Sequence, residues 1–135
     1  MNANSNAGLI DNLFGKMMVV YASLRSVNPA DKFAGTWTGT MYFSNSFGKA
    51  DVVITLLTGC KPGAVCGKLE NTTSDFICEL TLDEVSGDVL SYTFSKSLRG
   101  DCPAGSMGKL ILRPDGTLYR VHQTPSSIAS GTLTR

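Results

Sequence analysis

The sequence predicts a mainly β fold: an eight-stranded antiparallel up-and-down barrel preceded by an N-terminal amphipathic helix. Three observations support this fold class. From residue 34 onward, apolar and polar residues alternate with the period of two that is typical of strands. Turn residues divide this region into eight short segments. No connection is long enough for a crossover helix, so neighbouring strands should pair antiparallel, and closing the sheet removes its exposed edges.

Residues 7–26 have the pattern of an amphipathic helix. Asp11, Asn12 and Lys16 occupy the polar side, and apolar residues recur at helical spacing on the other side. The helix should end before Asn28, because the residue preceding a proline disfavours helical geometry. The positions expected to form an interaction surface are Leu9, Leu13, Phe14, Met17, Met18, Tyr21 and Leu24.

This helix has more apolar surface than a solvated helix needs. Two uses remain open: it docks on its own barrel, or it binds another copy of the chain or another protein. Attachment to a membrane surface is disfavoured, because Lys16 and Arg25 are its only basic residues. The chain therefore divides into a helix and linker at residues 1–30 and a barrel domain at residues 31–135.

Recognisable turns separate the strand segments. A tight hairpin is predicted at residues 86–88 (Ser-Gly-Asp). A proline-led turn is predicted at residues 114–116 (Pro-Asp-Gly), where the glycine supplies a positive φ. The predicted strands are residues 36–44, 50–58, 65–70, 75–85, 89–96, 107–113, 117–123 and 129–134.

Alternation also assigns the inner face of the barrel. Large apolar residues fall on one side of the first and the fifth predicted strands. An eight-stranded barrel has room for filling side chains or for one small ligand, and these residues favour a filled core. If a cavity is present instead, its lining residues would be Trp37, Met41, Tyr92 and Phe94, with Arg120 or His122 as polar anchors.

The second predicted strand is apolar on both sides. Val53 and Leu57 fall on its outer side, so this part of the barrel surface should have a cover. The N-terminal helix is a segment of the chain that could supply one.

Composition and charge narrow the function classes. The chain has 135 residues, 12 basic and 11 acidic, with a net charge of +1, which predicts no binding to nucleic acid or to an anionic membrane surface. No stretch approaches the roughly 20 apolar residues that cross a bilayer. The N-terminal region is not a recognisable secretion signal, because its start is polar and uncharged and Asp11, Asn12 and Lys16 interrupt the apolar stretch.

The four cysteines point to an oxidising compartment. Cys60 and Cys66 bracket a short loop, Cys78 lies in a strand segment, and Cys102 lies in a loop with glycine and proline. Zinc sites prefer closer pairs such as C-x-x-C, so two disulfides, Cys60–Cys66 and Cys78–Cys102, are favoured over reduced thiols and over zinc. Disulfides imply an extracytoplasmic or secreted protein. Export by another route, or a fragment or processed chain, would reconcile this with the missing signal.

The sequence contains no catalytic constellation. Asp83 and Glu84 are adjacent on a strand and point to opposite faces, so they cannot work as a carboxylate pair. His122 is the only histidine and lacks a Gly-x-Ser-x-Gly partner motif, so a structural or surface role is favoured over ligand contact. We therefore expect no enzymatic activity, no metal and no cofactor.

The tryptophan-led first strand resembles that of the calycin superfamily, which contains lipocalins, fatty-acid-binding proteins and avidins. In that group Gly-x-Trp, here residues 35–37, opens the first strand after a short helical lead-in, here residues 31–33. The resemblance implies that the tryptophan closes one end of the barrel and that a basic residue packs across it. Arg135 is the best-placed basic residue for this role, and Arg120 is the second.

A closer resemblance is to small barrel domains found beside bacterial signalling modules, such as the extracellular ends of Ser/Thr kinases. It covers residues 33–135 and implies sensing or interaction rather than an established activity. It also supports the pairing of Cys78 with Cys102. The shared pattern is Phe-Ala-Gly-Thr-Trp-x-Gly-Thr at 33–40, Gly-Lys-Leu-Glu at 67–70, Cys-x-x-x-Leu at 78–82, Cys-Pro-x-Gly at 102–105 and Gly-Thr-Leu at 131–133.

The leading functional hypothesis is a non-catalytic interaction or assembly module. In this hypothesis the N-terminal helix mediates self-association into a homo-oligomer or docking to a protein partner. The alternative is lipocalin-like binding or sensing of an apolar small molecule in the barrel cavity. An enzyme on the same barrel is the least favoured hypothesis.

Overall fold

The computed structural model of the protein describes residues 28–45 and 48–135. In this part of the chain, eight strands form one closed antiparallel barrel, in which consecutive strands pair and the first strand pairs with the last. The predicted barrel is therefore confirmed, whereas the predicted helix at residues 7–26 lies outside the described residues. The strands are β1 (Gly35–Phe43), β2 (Lys49–Leu56), β3 (Val65–Asn71), β4 (Phe76–Ser86), β5 (Val89–Arg99), β6 (Met107–Leu112), β7 (Leu118–Gln123) and β8 (Ile128–Thr134).

The two ends of the barrel are built differently. One end, which we name the closed end, is covered by a short 3-10 helix, η1 (Pro29–Phe33), whose start is capped by the side chain of Asn28. The other end, which we name the loop end, carries the connections after β1, β3, β5 and β7. Those connections are residues 44–48, 72–75, 100–106 and 124–127.

A tryptophan seals the closed end. Trp37 and Phe33 are fully buried, and the Trp37 Nε1–H donates a hydrogen bond to the Phe33 carbonyl at 2.9 Å. The guanidinium carbon of Arg135 lies 4.3 Å from the Trp37 ring centre, and its Nη1 donates to the Ala34 carbonyl at 2.8 Å. The basic residue that packs across the tryptophan is thus Arg135, as the calycin resemblance implied.

Six of the eight strand bounds at the loop end differ from the sequence prediction, five of them by one residue and the end of β5 by three. β4 begins at Phe76 rather than at residue 75, because Asp75 has a φ of 58° and does not continue an extended strand. β5 continues past the predicted end at residue 96 to Arg99, which pairs with Ile77 of β4. Residues 95–99 are all exposed, so no apolar alternation marks this extension in the sequence.

One disulfide lies at each end of the barrel. Cys60–Cys66 closes the connection between β2 and β3 at the closed end. Cys78–Cys102 joins β4 to the connection after β5 at the loop end. Both predicted pairings are confirmed, and the alternatives of reduced thiols or zinc are not what the structure contains. Two disulfides are consistent with an extracytoplasmic location.

Among the residues that the structure describes, no helix has both the length and the hydropathy to cross a bilayer.

Candidate ligand site

The predicted lining residues lie inside the barrel, and the aromatic ones belong to one hydrophobic core. Trp37, Met41, Tyr92 and Phe94 are at most 2% exposed. Trp37 belongs to the closed end, whereas Tyr92 and Phe94 lie together with ring centres 5.6 Å apart. Phe94 also stacks on His122, with ring centres 4.2 Å apart. Side chains therefore fill this part of the interior, and contact of these residues with a ligand stays a prediction.

A chain of hydrogen bonds runs from the barrel interior to the loop end. Arg120 Nε donates to the Tyr92 hydroxyl at 2.8 Å, and this hydroxyl lies 2.8 Å from His122 Nδ1. His122 Nε2 lies 2.7 Å from Ser106 Oγ, which donates to the Pro103 carbonyl at 2.6 Å. We name these side chains, from Arg120 to Ser106, the buried polar chain.

The number of available protons determines which group donates in each hydrogen bond of the buried polar chain. The single hydroxyl proton of Ser106 is donated to Pro103, so His122 Nε2 must be the donor to Ser106 Oγ. A neutral imidazole then accepts at Nδ1, and the Tyr92 hydroxyl donates to it. Every member therefore donates toward the loop end, and His122 is the neutral Nε2–H tautomer.

The protonation states that burial favours agree with this assignment. Burial, assisted by the nearby Arg120 charge, lowers the pKa of His122 to about 3. Burial also raises the pKa of Tyr92, although Arg120 opposes this shift through its charge and its hydrogen bond. At neutral pH the imidazole is uncharged and the phenol keeps its proton, so both groups suit the buried polar chain.

A glycine makes room for this chain. Gly108 of β6 lies opposite both Tyr92 and His122 in the strand register. A Cβ at this position would overlap the Tyr92 hydroxyl and approach His122 Nδ1 to 2.7 Å. Neither Gly108 nor Ser106 was predicted as a site residue, although a glycine inside a strand segment is a known sign of close approach by a neighbouring group.

Arg120 differs from the other members of the buried polar chain because it carries a charge and is buried. Its side chain is 3% exposed, and its guanidinium carbon lies 5.9 Å from the Tyr92 ring centre and 5.8 Å from that of Phe94. Within residues 28–45 and 48–135, no carboxylate lies within ion-pair distance of Arg120, and its one hydrogen bond goes to Tyr92. A buried guanidinium without a counter-ion is costly, and this group recognises carboxylates and phosphates.

A cleft of about 730 Å³ lies on the outside of the barrel next to the buried polar chain. Its base is the outer face of β5, β6 and β7, and its walls are the loop-end connections that contain Pro103 and Pro125. Tyr92 and Ser106 reach its edge from the interior. We name it the outer cleft, and its other outward-facing side chains include Met107, Lys109, Val121 and Asp83.

The site does not contain a metal-binding constellation of the usual kind. In the described ranges, no group of three or more His, Cys, Asp or Glu side chains is placed to hold a metal ion. The sequence placed Arg120 and His122 on the same face of one strand, and the structure joins them through Tyr92.

Together, the fold and the site define a closed eight-stranded antiparallel barrel with a buried polar chain and an outer cleft, an architecture compatible with a calycin-like fold. Comparisons of the chain with protein-family models, with curated proteins and with solved structures gave no match.

Proposed function

We propose that the protein is a non-catalytic interaction and assembly module whose N-terminal helix is the attachment element. The observation that carries this proposal is that the ring of strands closes using residues 35–134 alone. The sheet therefore needs no strand from the N-terminal segment. Because Trp37, Met41 and Phe94 already occupy the interior, the apolar side of the predicted helix is left to make contacts on an outer surface.

The state of His122 supports the non-catalytic part of this proposal. Both ring nitrogens are engaged, one with Tyr92 and one with Ser106, and Ser106 directs its own proton to a backbone carbonyl. A serine nucleophile would instead donate its proton to the histidine. The resemblance of residues 33–135 to barrels beside bacterial signalling modules also favours interaction over catalysis.

A pair of full-length variants tests the assembly role. Leu13→Asp/Met17→Asp places two charges on the apolar side of the predicted helix, and Asn12→Asp is the control on its polar side. We expect the wild type and the control to form an oligomer in size-exclusion chromatography with light scattering, and the double variant to be monomeric. A monomeric wild type would refute self-association, and a double variant that still associates would refute the role of the helix in it.

A second function is favoured by one specific observation, the buried guanidinium of Arg120 without a carboxylate partner in the described residues. We propose as this alternative that the barrel binds a small molecule with an apolar body and an anionic group. Binding an anion would compensate the buried charge. Tyr92 would assist, since its hydroxyl already lies against Arg120 Nε.

Ligand titrations separate this alternative from the first function. Isothermal titration calorimetry should show binding of a medium-chain fatty acid and much weaker binding of the corresponding alcohol, which lacks the charge. Arg120→Met should remove the difference between the two ligands. A flat response of the wild type to both compounds would leave the filled-core interpretation standing and reject this function.

We also propose an extracytoplasmic location, which the two disulfides support. The intact mass of the protein, measured after thiol alkylation without reductant, tests the redox state directly. Addition of alkyl groups to any of the four cysteines would contradict the proposal.

A further inference from the structure

The outer cleft belongs to a larger apolar surface on one side of the barrel. Of the six large apolar side chains that are exposed in the described part of the chain, three are Met107, Ile128 and Tyr42. Gln123 of β7 lies opposite both Met107 of β6 and Ile128 of β8, and Tyr42 continues this surface on β1, which pairs with β8. We name this surface the outer band; it adjoins the outer cleft through Met107.

The N-terminal segment enters the barrel on the opposite side. Asn28 Nδ2 donates to the Cys60 carbonyl at 2.6 Å, and Asp31 Oδ1 accepts from the Gly59 N–H at 2.7 Å. Both contacts fix the entry point to the connection between β2 and β3 at the closed end. In the ring of eight strands, β2 and β3 lie half a turn from β6 and β7, and the outer cleft lies toward the loop end.

The predicted helix cannot bridge these two places within one molecule. Residues 7–26 would form a rod about 30 Å long at 1.5 Å per residue, and residue 27 alone connects this rod to the fixed Asn28. Following half the circumference of the barrel would require a sharp bend, which long helices do not make without a proline or a similar break. If residues 7–26 form the predicted helix, a straight rod that leaves Asn28 would not reach the outer cleft of its own molecule.

We propose that the N-terminal helix of a second copy of the chain docks in the outer cleft. This inference rests on the proposed assembly function and names the acceptor surface for the helix. The cleft has the volume of a concave binding site, about 730 Å³, and Met107, Val121 and Pro103 supply apolar lining. Helix-in-groove recognition uses this combination of an apolar helix face and an apolar groove.

The charges at the two surfaces are complementary. Lys109 and Asp83 line the cleft, and the polar side of the predicted helix carries Asp11 and Lys16. One residue of each sign on either partner allows opposite charges to meet at the rim of the contact. Rim charges of this kind select orientation more than they add affinity.

An interface of this type has a defined symmetry. Each copy carries one helix and one cleft, and the two surfaces are different, so the contact is heterologous. Copies then associate head to tail, as a ring if the rotation closes and as an open chain if it does not.

Complementary full-length variants test the inference. The cleft variant is Met107→Asp/Pro125→Asp, which changes two exposed side chains of the outer cleft. The helix variant is Leu13→Asp/Met17→Asp. Each variant alone should be monomeric in size-exclusion chromatography with light scattering. An equimolar mixture should form a heterodimer and nothing larger, because it contains only one intact helix and one intact cleft per pair.

The other outcomes distinguish the inference from the proposed function. A mixture that stays monomeric overturns the docking site. A cleft variant that assembles like the wild type also overturns it, while the loss of assembly in the helix variant alone would preserve the proposed function. Leu57→Asp changes an exposed apolar side chain on the β2–β3 side and should leave assembly intact; if it abolishes assembly, the acceptor is that face. A monomeric wild type overturns both proposals.

Discussion

Each end of the barrel contains aromatic rings, an arginine and a disulfide, but these groups are arranged differently at the two ends. At the closed end, an aromatic ring, an arginine and a disulfide form an apolar seal. The polar atom of that seal, Trp37 Nε1, is satisfied by the carbonyl of Phe33, four residues earlier in the chain. At the loop end, aromatic rings and an arginine belong to the buried polar chain or pack against it, and the hydrogen-bonded pairs of that chain are 16 to 30 residues apart. The hydrogen bond of Trp37 is thus local in sequence, whereas Arg135 reaches the closed end from 101 residues after Ala34.

The arginines at the two ends, Arg135 and Arg120, differ in exposure and in hydrogen-bond partner. Arg135 is exposed, covers Trp37 and hydrogen-bonds to a backbone carbonyl. Arg120 is buried and hydrogen-bonds to Tyr92. An exposed guanidinium keeps its hydration and stabilises the fold at little cost. A buried guanidinium loses its hydration, and without an anion nearby this cost is not compensated. The Arg135 contact therefore adds stability at little cost, whereas Arg120 is the group that the proposed anion binding would use.

The largest effect on stability is expected at the closed end. Trp37→Ala removes a fully buried ring and should lower the free energy of unfolding by about 3–5 kcal/mol, because it leaves a cavity behind the seal. Tyr42→Ala, in the same strand but 58% exposed, should change it by less than about 0.5 kcal/mol. Urea unfolding followed by circular dichroism measures both, and equal losses would contradict the sealing role.

The disulfides should differ between the two ends. Replacing Cys78 and Cys102 by alanine opens a loop with a sequence separation of 24 and should cost about 3 kcal/mol. Replacing Cys60 and Cys66, with a separation of 6, should cost about 2 kcal/mol, because a shorter loop restrains the unfolded chain less. Urea titrations of the two double variants compare them. A greater loss at the closed end would show that local packing outweighs loop length.

The buried polar chain should make stability depend on pH. His122 has a pKa of about 3 in the folded protein, below its ordinary value of 6.5. Between pH 6.5 and pH 3, His122 is therefore protonated in the unfolded chain but not in the folded protein. Stability therefore falls as the pH falls from 6.5 toward 3, by about 1.4 kcal/mol per pH unit. Between pH 7 and pH 5 the loss should be about 2 kcal/mol.

A histidine-free variant isolates this effect. His122→Gln should be less stable than the wild type at pH 7, because a buried partner is lost, but should lack this component of the decline between pH 7 and pH 5. Urea midpoints at both pH values give the comparison. Parallel declines in the two proteins would mean that His122 is protonated in the folded state, contrary to the proton assignment in the buried polar chain.

The smallest effect is expected for Arg135. Arg135→Ala removes a cation–π contact at 4.3 Å from the Trp37 ring centre and should cost about 0.5–1 kcal/mol. Arg135→Lys should retain part of this contribution. The Trp37 emission spectrum reports exposure of the ring, and it should shift slightly to the red in the alanine variant. A loss as large as that of Trp37→Ala would mean that the arginine, not the ring, holds the closed end together.

The fold was predictable because its signals are local. Alternation along β1 and β2 assigns Trp37 and Met41 to the interior and Val53 to the outside, and the structure agrees. The end of β5 was not predictable, because its last residues alternate no apolar side chains and are ordered by pairing with β4. Register between strands is a property of two segments, and one segment alone does not contain it.

The candidate site was predictable only in part for the same reason. Arg120 and His122 are two positions apart on one strand, so alternation places both on the inner face. Tyr92 and Ser106 reach them from other parts of the chain, and no periodicity links these segments. Gly108 was the one available signal, since a glycine within an alternating segment indicates that another group occupies the space of its side chain.

The hydrogen bond from Arg135 to Ala34 has a further consequence for how this unit can be built into larger proteins. It places the first and last residues of the barrel side by side at one pole of the molecule. A circular permutant that joins these residues by a short linker, with new termini opened in the hairpin at residues 86–88, should therefore fold. The barrel can likewise be inserted into the loop of a host protein without pulling the host's flanking segments apart.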